Sequence, residues 1–307
     1  MKHLITIVGP TAIGKTALSI AVAQHFKCEI ISCDSRQFFK EMTIGTAVPN
    51  PQELASAQHH FIQNKSIFDH YTVGDYEKEA LSKIEELFQN NDFAILIGGS
   101  GLYVDAILKG FDEFPEINPE VRAKVNSNYE KHGIAYLQEQ LQHLDPDYYQ
   151  KITSENPQTL QNPQRMMRFV EVCIGTAKPY SSFLNQKKNN RNFIPVLIGL
   201  DAERSIIYDR INQRVDIMMN EGLLEEAKTL YPNKDLNALQ TVGYRELFSY
   251  FGGDFTLPFV IEEIKKNTRR FSKRQLTWFK RNENTKWFDY NTNKQEIFDY
   301  INLKVQS

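Results

Sequence analysis

A phosphate-binding loop near the start of the chain constrains the fold more than any other feature. The apolar run Leu4–Val8 is typical of a buried strand, and Ala17–Phe26 continues with helical spacing. The pattern GxxxxGK[ST] is matched between them by Gly9, Pro10, Thr11, Ala12, Ile13, Gly14, Lys15 and Thr16. Because this is the strand–loop–helix setting that a P-loop requires, the sequence predicts an α/β fold that binds a di- or triphosphate group.

Each part of this loop has a physical role. Glycines let successive backbone N–H groups curl around an anion, and the helix N-terminus adds a partial positive charge. Lys15 supplies a mobile cation, and the Thr16 hydroxyl is a ligand for Mg²⁺. We therefore expect Mg²⁺ to accompany the phosphate group.

Composition sets wider limits. The chain has 307 residues, enough for one large domain or two smaller ones, and its net charge of −2 argues neither for nor against nucleic acid. Three cysteines without CxxC or metal-ligand spacing are typical of reduced cytosolic thiols. No apolar run approaches the roughly 20 residues of a membrane span, and no secretory signal precedes the first strand. We expect a cytoplasmic enzyme that does not bind membranes; oligomeric state leaves no direct signal, and we expect a monomer.

Apolar runs and helical spacing predict the organisation of the chain. Four runs are typical of buried parallel strands, namely Leu4–Val8, Glu29–Ser32, Phe93–Ile97 and Val196–Leu200. They predict a P-loop NTPase-like parallel sheet flanked by helices, formed by residues 1–111 and 189–307. Residues 112–188 are predicted as an all-helical insertion domain, in which the segment Gln164–Arg168 is a candidate for phosphate contacts, and the polar segment 185–192 is predicted as its returning linker.

Helices are predicted on both sides of the fourth strand. Within the insertion, the predicted helices are Val121–Gly133, Ile134–Leu144 and Gln164–Ile174. After the fourth strand, they are Glu203–Asn220, Leu223–Leu230, Tyr244–Phe251 and Leu257–Arg281.

Asp34 directly follows the second predicted strand. Ligands of open α/β sheets lie beyond the carboxyl ends of the strands, so Asp34 should face the same crevice as Lys15 and Thr16. A carboxylate there accepts a proton from a nucleophile or joins a Mg²⁺ shell, and the alternative is a turn or helix-capping aspartate. Ser100, within Gly98–Tyr103 after the third strand, is a weaker candidate for a base or phosphate contact.

Basic residues are concentrated on two predicted helices. Arg210 and Arg214 are four positions apart, so they share a face suited to a polyphosphate, unless they pair with nearby aspartates. The segment from Lys265 to Arg281 has eight basic residues interleaved with Trp278 and Phe279, which fits phosphate contacts plus base stacking. A charged, solvated helix explains the same run.

Seven segments, in order along nearly the whole chain, resemble the tRNA dimethylallyltransferase family (isopentenyl-tRNA transferases). They are GPTAIGKT at Gly9–Thr16, SCDSRQ at Ser32–Gln37, IGTA at Ile44–Ala47, GGSGLY at Gly98–Tyr103, NPQRMMR at Asn162–Arg168, TVGYRE at Thr241–Glu246 and KRQLTWFKR at Lys273–Arg281. The resemblance implies transfer of a dimethylallyl group from dimethylallyl diphosphate to N6 of adenosine 37, immediately 3′ of the tRNA anticodon, with release of diphosphate.

The resemblance also implies roles for individual residues. Gly9–Thr16 would bind the diphosphate with Thr16 on Mg²⁺, Asp34 would be the general base, and Lys15, Arg210 and Arg214 would stabilise the leaving group. Contacts with the tRNA anticodon stem-loop are implied for Asp34, Ser35, Arg36, Gln37, Ser100, Arg122, Gln164, Arg165, Arg168, Gly243, Tyr244, Arg245, Lys273, Arg274, Gln275 and Trp278. The sequence departs from the family pattern at Phe39, where tyrosine is frequent, and at Val48, where lysine is common; the first departure removes a hydroxyl group and the second removes a positive charge.

Two alternatives remain from the residues alone. A small-molecule P-loop kinase would use the same loop on ATP, Asp34 on an acceptor hydroxyl, and Arg210 and Arg214 on a lid. However, the third strand ends in Gly98-Gly99 without the acid of a Walker B segment, and a kinase does not need the basic aromatic helix. A non-catalytic RNA-binding P-loop protein is the second alternative.

Overall fold

The computed structural model describes residues 1–112, 114–184 and 191–306. These residues divide into two units, one comprising Met1–Gly110 and Arg191–Ser307 and the other Phe111–Asn190. Most of the predicted linker 185–192, and with it the predicted boundary at 188/189, lies outside the described residues.

The first unit contains a parallel sheet. Within the described ranges its six strands are β1 (His3–Val8), β2 (Ile30–Ser32), β3 (His59–His60), β4 (Phe93–Ile97), β5 (Ile194–Asp201) and β6 (Lys286–Asp289). Their order is β3-β2-β4-β1-β5-β6, and every neighbouring pair is parallel. The four predicted strands are confirmed as β1, β2, β4 and β5, and the α/β class is confirmed with them.

Helices follow and cover these strands. In the described parts of the chain the α-helices are α1 (Lys15–Phe26), α2 (Pro51–Ser56), α3 (Val73–Asn90), α4 (Gly101–Lys109), α5 (Pro119–Leu144), α6 (Pro146–Glu155), α7 (Pro163–Thr176), α8 (Arg204–Asn220), α9 (Leu223–Leu230), α10 (Tyr244–Phe251), α11 (Leu257–Phe279) and α12 (Lys294–Gln306). None of them combines the length and apolar character needed to cross a bilayer.

Both faces of the sheet are buried, which explains why its central strands are apolar throughout. Along β1, Ile5 and Ile7 pack into one core with residues of α1, α8 and α12, whereas Leu4 and Val8 pack into another with residues of α3 and α4. This alternation follows from the two-residue period of a strand. A third core joins α8 to α11 and includes the fully buried Tyr244.

The second unit is helical in its described part. Its longest helix, α5, is interrupted at Gly133, where φ is 69° and ψ is −164°, so the prediction of two helices meeting there is confirmed. The Asp145 carboxylate accepts hydrogen bonds from the backbone N–H groups of Tyr148 (3.2 Å) and Ser181 (2.7 Å), which starts α6 and fixes the segment after α7. The predicted start of the next helix after Asn162-Pro163 is also confirmed, as α7.

Candidate active site

The P-loop connects β1 to α1 in a conformation that requires its glycines. At Gly9, φ is 150°, and a Cβ there would lie only 2.6 Å from the carbonyl oxygen of Leu200 on the neighbouring strand β5. At Gly14, φ is 109°, in the region that L-residues other than glycine avoid. The loop therefore lies directly against the sheet, at the carboxyl ends of its strands.

Lys15 lies against this loop. Its ammonium group donates a hydrogen bond to the carbonyl oxygen of Pro10 at 2.8 Å. Burial lowers the pKa of Lys15 to about 8; Arg214 adds to this lowering, and Asp34 opposes it. An anion bound in the loop would offset the cost of burying the positive charge of Lys15, so the site favours a phosphate ligand.

Arg210 and Arg214 both extend from α8 to the loop. Arg210 Nε donates to the carbonyl oxygen of Ala12 at 2.7 Å, and Arg214 Nη1 lies 3.5 Å from the Thr11 hydroxyl. Burial, together with the neighbouring Arg210, lowers the pKa of Arg214. Two mutually repelling, half-buried cations beside a P-loop favour a ligand of high negative charge.

Asp34 begins a turn after β2. Its carboxylate accepts a hydrogen bond from the backbone N–H of Arg36 at 3.2 Å, so the turn aspartate is one of its roles. Burial raises the pKa of Asp34, and the positive charges of Lys15, Arg36 and Arg214 counteract part of that rise. A carboxylate of raised pKa is a stronger base than an exposed one.

Gln275 joins α11 to the loops at the end of the sheet. Its side chain is 5% exposed, its Oε1 accepts from the Thr11 backbone N–H at 2.9 Å, and its Nε2 donates to the Gly99 carbonyl oxygen at 3.0 Å. Both bonds are made to backbone groups, so Gln275 fixes the P-loop relative to the Gly98–Tyr103 segment.

The residues after Asp34 hold neighbouring segments in place. Ser35 pairs with Ser100 through its backbone N–H and its hydroxyl, both at 3.1 Å. Arg36 donates to the carbonyl oxygens of Asn237 and Ala238, at 3.0 and 2.8 Å. The structure thus brings together Ser35 and Ser100, which the resemblance names separately as contacts with tRNA.

Gln37 makes a comparable contact with a more distant loop. Its amide nitrogen donates to the carbonyl oxygens of Thr46 (3.1 Å) and Ala47 (2.8 Å). This fixes the orientation of the amide, because both hydrogens are used.

Two adjoining cavities meet in this region. The first, here called the P-loop cavity, has a volume of about 720 Å³ and is lined by residues 11–17 together with Asp34, Gln37, Arg210 and Arg214. The second, here called the α11 cavity, has a volume of about 540 Å³ and lies beside α11 and the Gly98–Tyr103 segment. Eight residues line both cavities, and they are Thr11, Asp34, Thr46, Ala47, Arg214, Met218, Phe271 and Gln275.

Most residues that the resemblance assigns to RNA contact in the first unit line the α11 cavity. They are Asp34, Ser35, Arg36, Ser100, Gly243, Arg245, Arg274, Gln275 and Trp278. Lys273 is exposed on α11. Tyr244 differs, because its side chain is 0% exposed and its hydroxyl donates to the Glu226 carboxylate at 2.6 Å. The Tyr244 side chain therefore exposes no surface through which it could make the predicted contact with RNA.

Trp278 forms one wall of the α11 cavity. Its indole N–H donates to the Asp105 carboxylate at 3.0 Å, and the Arg281 guanidinium lies 4.0 Å from the centre of its ring. A Cβ at Gly101 would lie 2.3 Å from the indole, so this glycine permits the close approach. Aromatic and basic groups are thus side by side, as the sequence predicted.

The second unit has its own basic surface. Gln164, Arg165 and Arg168 line a groove of about 590 Å³ in that unit. Arg168 and Arg122 pair with the buried Glu171 carboxylate, at 3.1 and 3.6 Å. Glu171 therefore orients both arginines.

The residues beside the P-loop fit a magnesium ion bound mainly through a phosphate ligand. No group of three or more His, Cys, Asp or Glu residues suited to a metal occurs within the described ranges. Thr16 and Asp34 nevertheless both line the P-loop cavity. Mg²⁺ keeps several waters and needs few protein ligands when phosphate oxygens complete its shell, so these two oxygen donors are sufficient.

Sequence reasoning missed one carboxylate that organises this region. Glu226, on α9, accepts hydrogen bonds from the backbone N–H groups of Thr43, Ile44 and Gly45, besides the one from Tyr244. The IGTA segment and the TVGYRE segment were singled out by the sequence, but Glu226 lies outside both and carries no local pattern.

Comparison with known proteins places these features in a family. Residues 37–282 match the family model described as IPP transferase. The chain is 85% identical over 306 residues to a tRNA dimethylallyltransferase of Flavobacterium johnsoniae, covering 99% of each chain, and 70% identical to that of Flavobacterium psychrophilum over the full length of both.

Solved structures show the same likeness. The full-length tRNA isopentenylpyrophosphate transferase of Bacillus halodurans superimposes with a TM-score of 0.73 at 33% identity, covering 100% of this chain and 97% of that one. A eukaryotic dimethylallyltransferase acting on tRNA superimposes with a TM-score of 0.78 at 25% identity, covering 95% and 75%.

Proposed function

The chain belongs to the IPP transferase family, and we propose that it transfers a dimethylallyl group from dimethylallyl diphosphate to N6 of adenosine 37 in tRNA. Diphosphate is the second product. The relatives named tRNA dimethylallyltransferase cover the whole chain, so the complete site can be compared with the proposed reaction.

The position of Asp34 carries this proposal. Its carboxylate lines both the P-loop cavity and the α11 cavity, so it lies where ligands in the two cavities would meet. In the proposed complex, the diphosphate occupies the P-loop cavity and the extruded adenine occupies the α11 cavity. Extruding a base from an anticodon loop costs only a few kcal/mol, because that base is not held in a duplex.

The charges around the P-loop suit a departing diphosphate. An allylic cation shares its charge between two carbons, so the bond to the leaving oxygen breaks early and negative charge grows on the diphosphate. Lys15, Arg210 and Arg214 are the cations that stabilise this charge, and all three are in contact with the loop. Mg²⁺, held by Thr16 with Asp34 nearby, would supply further neutralisation of the diphosphate.

Asp34 acts on the nucleophile. The lone pair of the adenine amine is delocalised into the ring, so the amine reacts poorly unless its proton is removed as the new C–N bond forms. Because burial raises the pKa of Asp34, its carboxylate has more affinity for that proton than an exposed aspartate.

The kinase alternative finds less support in the site. After β4 come Gly98 and Gly99, and no acid follows that strand. Strand β5 ends in Asp201, but its carboxylate pairs with Lys280 at 2.7 Å and lines neither cavity. Neither of the two strands that flank β1 therefore ends in a carboxylate that lines either cavity, as the Walker B aspartate of a P-loop kinase would.

Binding of the tRNA would use basic residues of both units. On α11, Arg274 lies at the α11 cavity and Lys273 is exposed, so both can meet phosphates. In the second unit, the groove with Arg165 and Arg168 supplies a further basic surface. We further propose that the enzyme acts as a monomer in the cytoplasm.

Mass analysis of tRNA nucleosides tests the reaction. Unmodified tRNA is incubated with the enzyme, Mg²⁺ and dimethylallyl diphosphate, and then digested; we expect adenosine to gain one five-carbon unit. Asp34→Asn is the matched variant, since it keeps the shape and removes the base. Transfer of a phosphate from ATP to an acceptor, with unmodified RNA, would overturn the proposal in favour of the kinase.

A further inference from the structure

We propose that Glu226 is a positioning residue that ties together two wall segments of the active site. This inference rests on the proposed function. Glu226 lines neither cavity, so its effect would be exerted through the residues that its carboxylate binds.

One of these segments is the loop Thr43–Ala47. The two carboxylate oxygens of Glu226 accept hydrogen bonds from three consecutive backbone N–H groups, those of Thr43 (3.0 Å), Ile44 (2.8 Å) and Gly45 (2.9 Å). Such hydrogen bonds to an ionised acceptor are stronger than those between neutral groups. The loop they fix lines both cavities.

The other segment is Thr241–Arg245, which lines the α11 cavity on either side of the buried Tyr244. The Tyr244 hydroxyl donates to the same carboxylate at 2.6 Å, so Glu226 binds both segments at once. Burial and the adjacent Glu226 carboxylate raise the pKa of Tyr244, which keeps its hydroxyl protonated as a donor. The Tyr244 ring also fills the space beside Gly45, where a Cβ would lie 2.6 Å from the ring.

The hydrogen-bond inventory explains why a carboxylate is needed here. Glu226 Oε2 accepts from Thr43 and Ile44, and Oε1 accepts from Gly45 and Tyr244. All four partners are donors, and three of them are backbone N–H groups, which cannot act as acceptors. A glutamine would place an NH₂ group against at least one backbone N–H, so Glu226→Gln loosens the loop without changing side-chain volume.

A loosened loop should affect turnover more than diphosphate binding. The proposed cradle for the diphosphate consists of the P-loop with Lys15, Arg210 and Arg214, none of which Glu226 contacts. Small displacements of residues around reacting groups reduce rates by up to about 100-fold. We therefore expect Glu226→Gln to lower kcat/KM for tRNA by about 10- to 100-fold, while the inhibition constant of inorganic pyrophosphate stays within about twofold.

Three variants separate positioning from stability. Tyr244→Phe keeps the ring against Gly45 and removes only the hydroxyl, so it remains informative if Glu226→Gln folds poorly. In the double variant Glu226→Gln/Tyr244→Phe, kcat/KM for tRNA should fall by less than the product of the two single reductions, because both substitutions act through one carboxylate. Glu225→Gln is the matched control, since Glu225 is the exposed neighbour on α9, and it should match the wild type.

Amide hydrogen exchange tests the loop independently of activity. In Glu226→Gln, exchange of residues 43–45 should be faster by about tenfold or more, while exchange of the P-loop is unchanged. Unchanged exchange at residues 43–45, or an equal loss of turnover and pyrophosphate affinity, overturns the positioning role. If the wild-type enzyme does not prenylate tRNA but the variant loop exchanges faster, the proposed function fails and the link between the two segments stands.

Discussion

The bridge made by Gln275 leads to a quantitative prediction about stability. The resemblance places Gln275 among the residues that contact tRNA, whereas the structure shows its amide bonded to Thr11 N–H and the Gly99 carbonyl. Replacing it with leucine keeps most of the side-chain volume and removes both hydrogen bonds. The expected result is a marked loss of stability in the absence of any ligand.

The size of that loss follows from how buried each partner is. The bond to the Gly99 carbonyl is buried, and leaving such an acceptor unsatisfied costs about 1–3 kcal/mol. The Thr11 N–H is only partly buried beside the cavities, so water replaces its partner and the loss is nearer the net value of one hydrogen bond, about 0.5–1.5 kcal/mol. Together these give a decrease of about 1.5–4.5 kcal/mol in the free energy of unfolding.

Urea unfolding followed by tryptophan fluorescence measures this change. The chain has two tryptophans, Trp278 and Trp287, and both lie in the first unit, so the signal reports on the part that contains the bridge. Gln213→Leu, at an exposed position of α8, is the matched control and should change the free energy by no more than about 0.5 kcal/mol. A similarly small change in Gln275→Leu, combined with weaker tRNA binding, would refute the bridge and favour a direct contact with tRNA.

Three further predictions concern catalysis and binding. Asp34→Asn should lower kcat by about 10²–10⁴-fold in the nucleoside assay and retain tRNA affinity in a filter-binding assay, and wild-type turnover would remove Asp34 as the base. Because the pKa of Lys15 is lowered to about 8, its side chain is positively charged below that pH and neutral above it. The equilibrium affinity for dimethylallyl diphosphate should therefore weaken by about tenfold from pH 7 to pH 9, and a Lys15→Ala variant should show a flat profile; a wild-type profile equally flat would contradict this assignment. Lys273→Ala and Arg274→Ala should each weaken tRNA binding and reduce its salt slope by about 1, with dimethylallyl diphosphate binding unchanged, and an unaltered slope would exclude that residue as a phosphate contact.

The sequence was sufficient for the parts of the fold that have local signals. The apolar runs of β1, β2, β4 and β5 are buried on both faces, and such strands are recognisable from composition alone. Strands β3 and β6 have two and four residues and were not predicted, because segments this short carry no period that could distinguish them from a loop.

The same distinction applies to the candidate site. The P-loop, Asp34 and the arginines of α8 belong to short patterns, so their chemistry could be inferred from neighbouring residues along the chain. The supporting contacts could not, because Thr11 and Gln275 are separated by 264 positions and Thr43 and Glu226 by 183. A buried glutamine or glutamate on a helix has no sequence pattern that specifies which backbone groups it will meet. The residues that perform the proposed chemistry are thus predictable from the sequence, while those that hold them in position become visible only when the fold brings distant segments together.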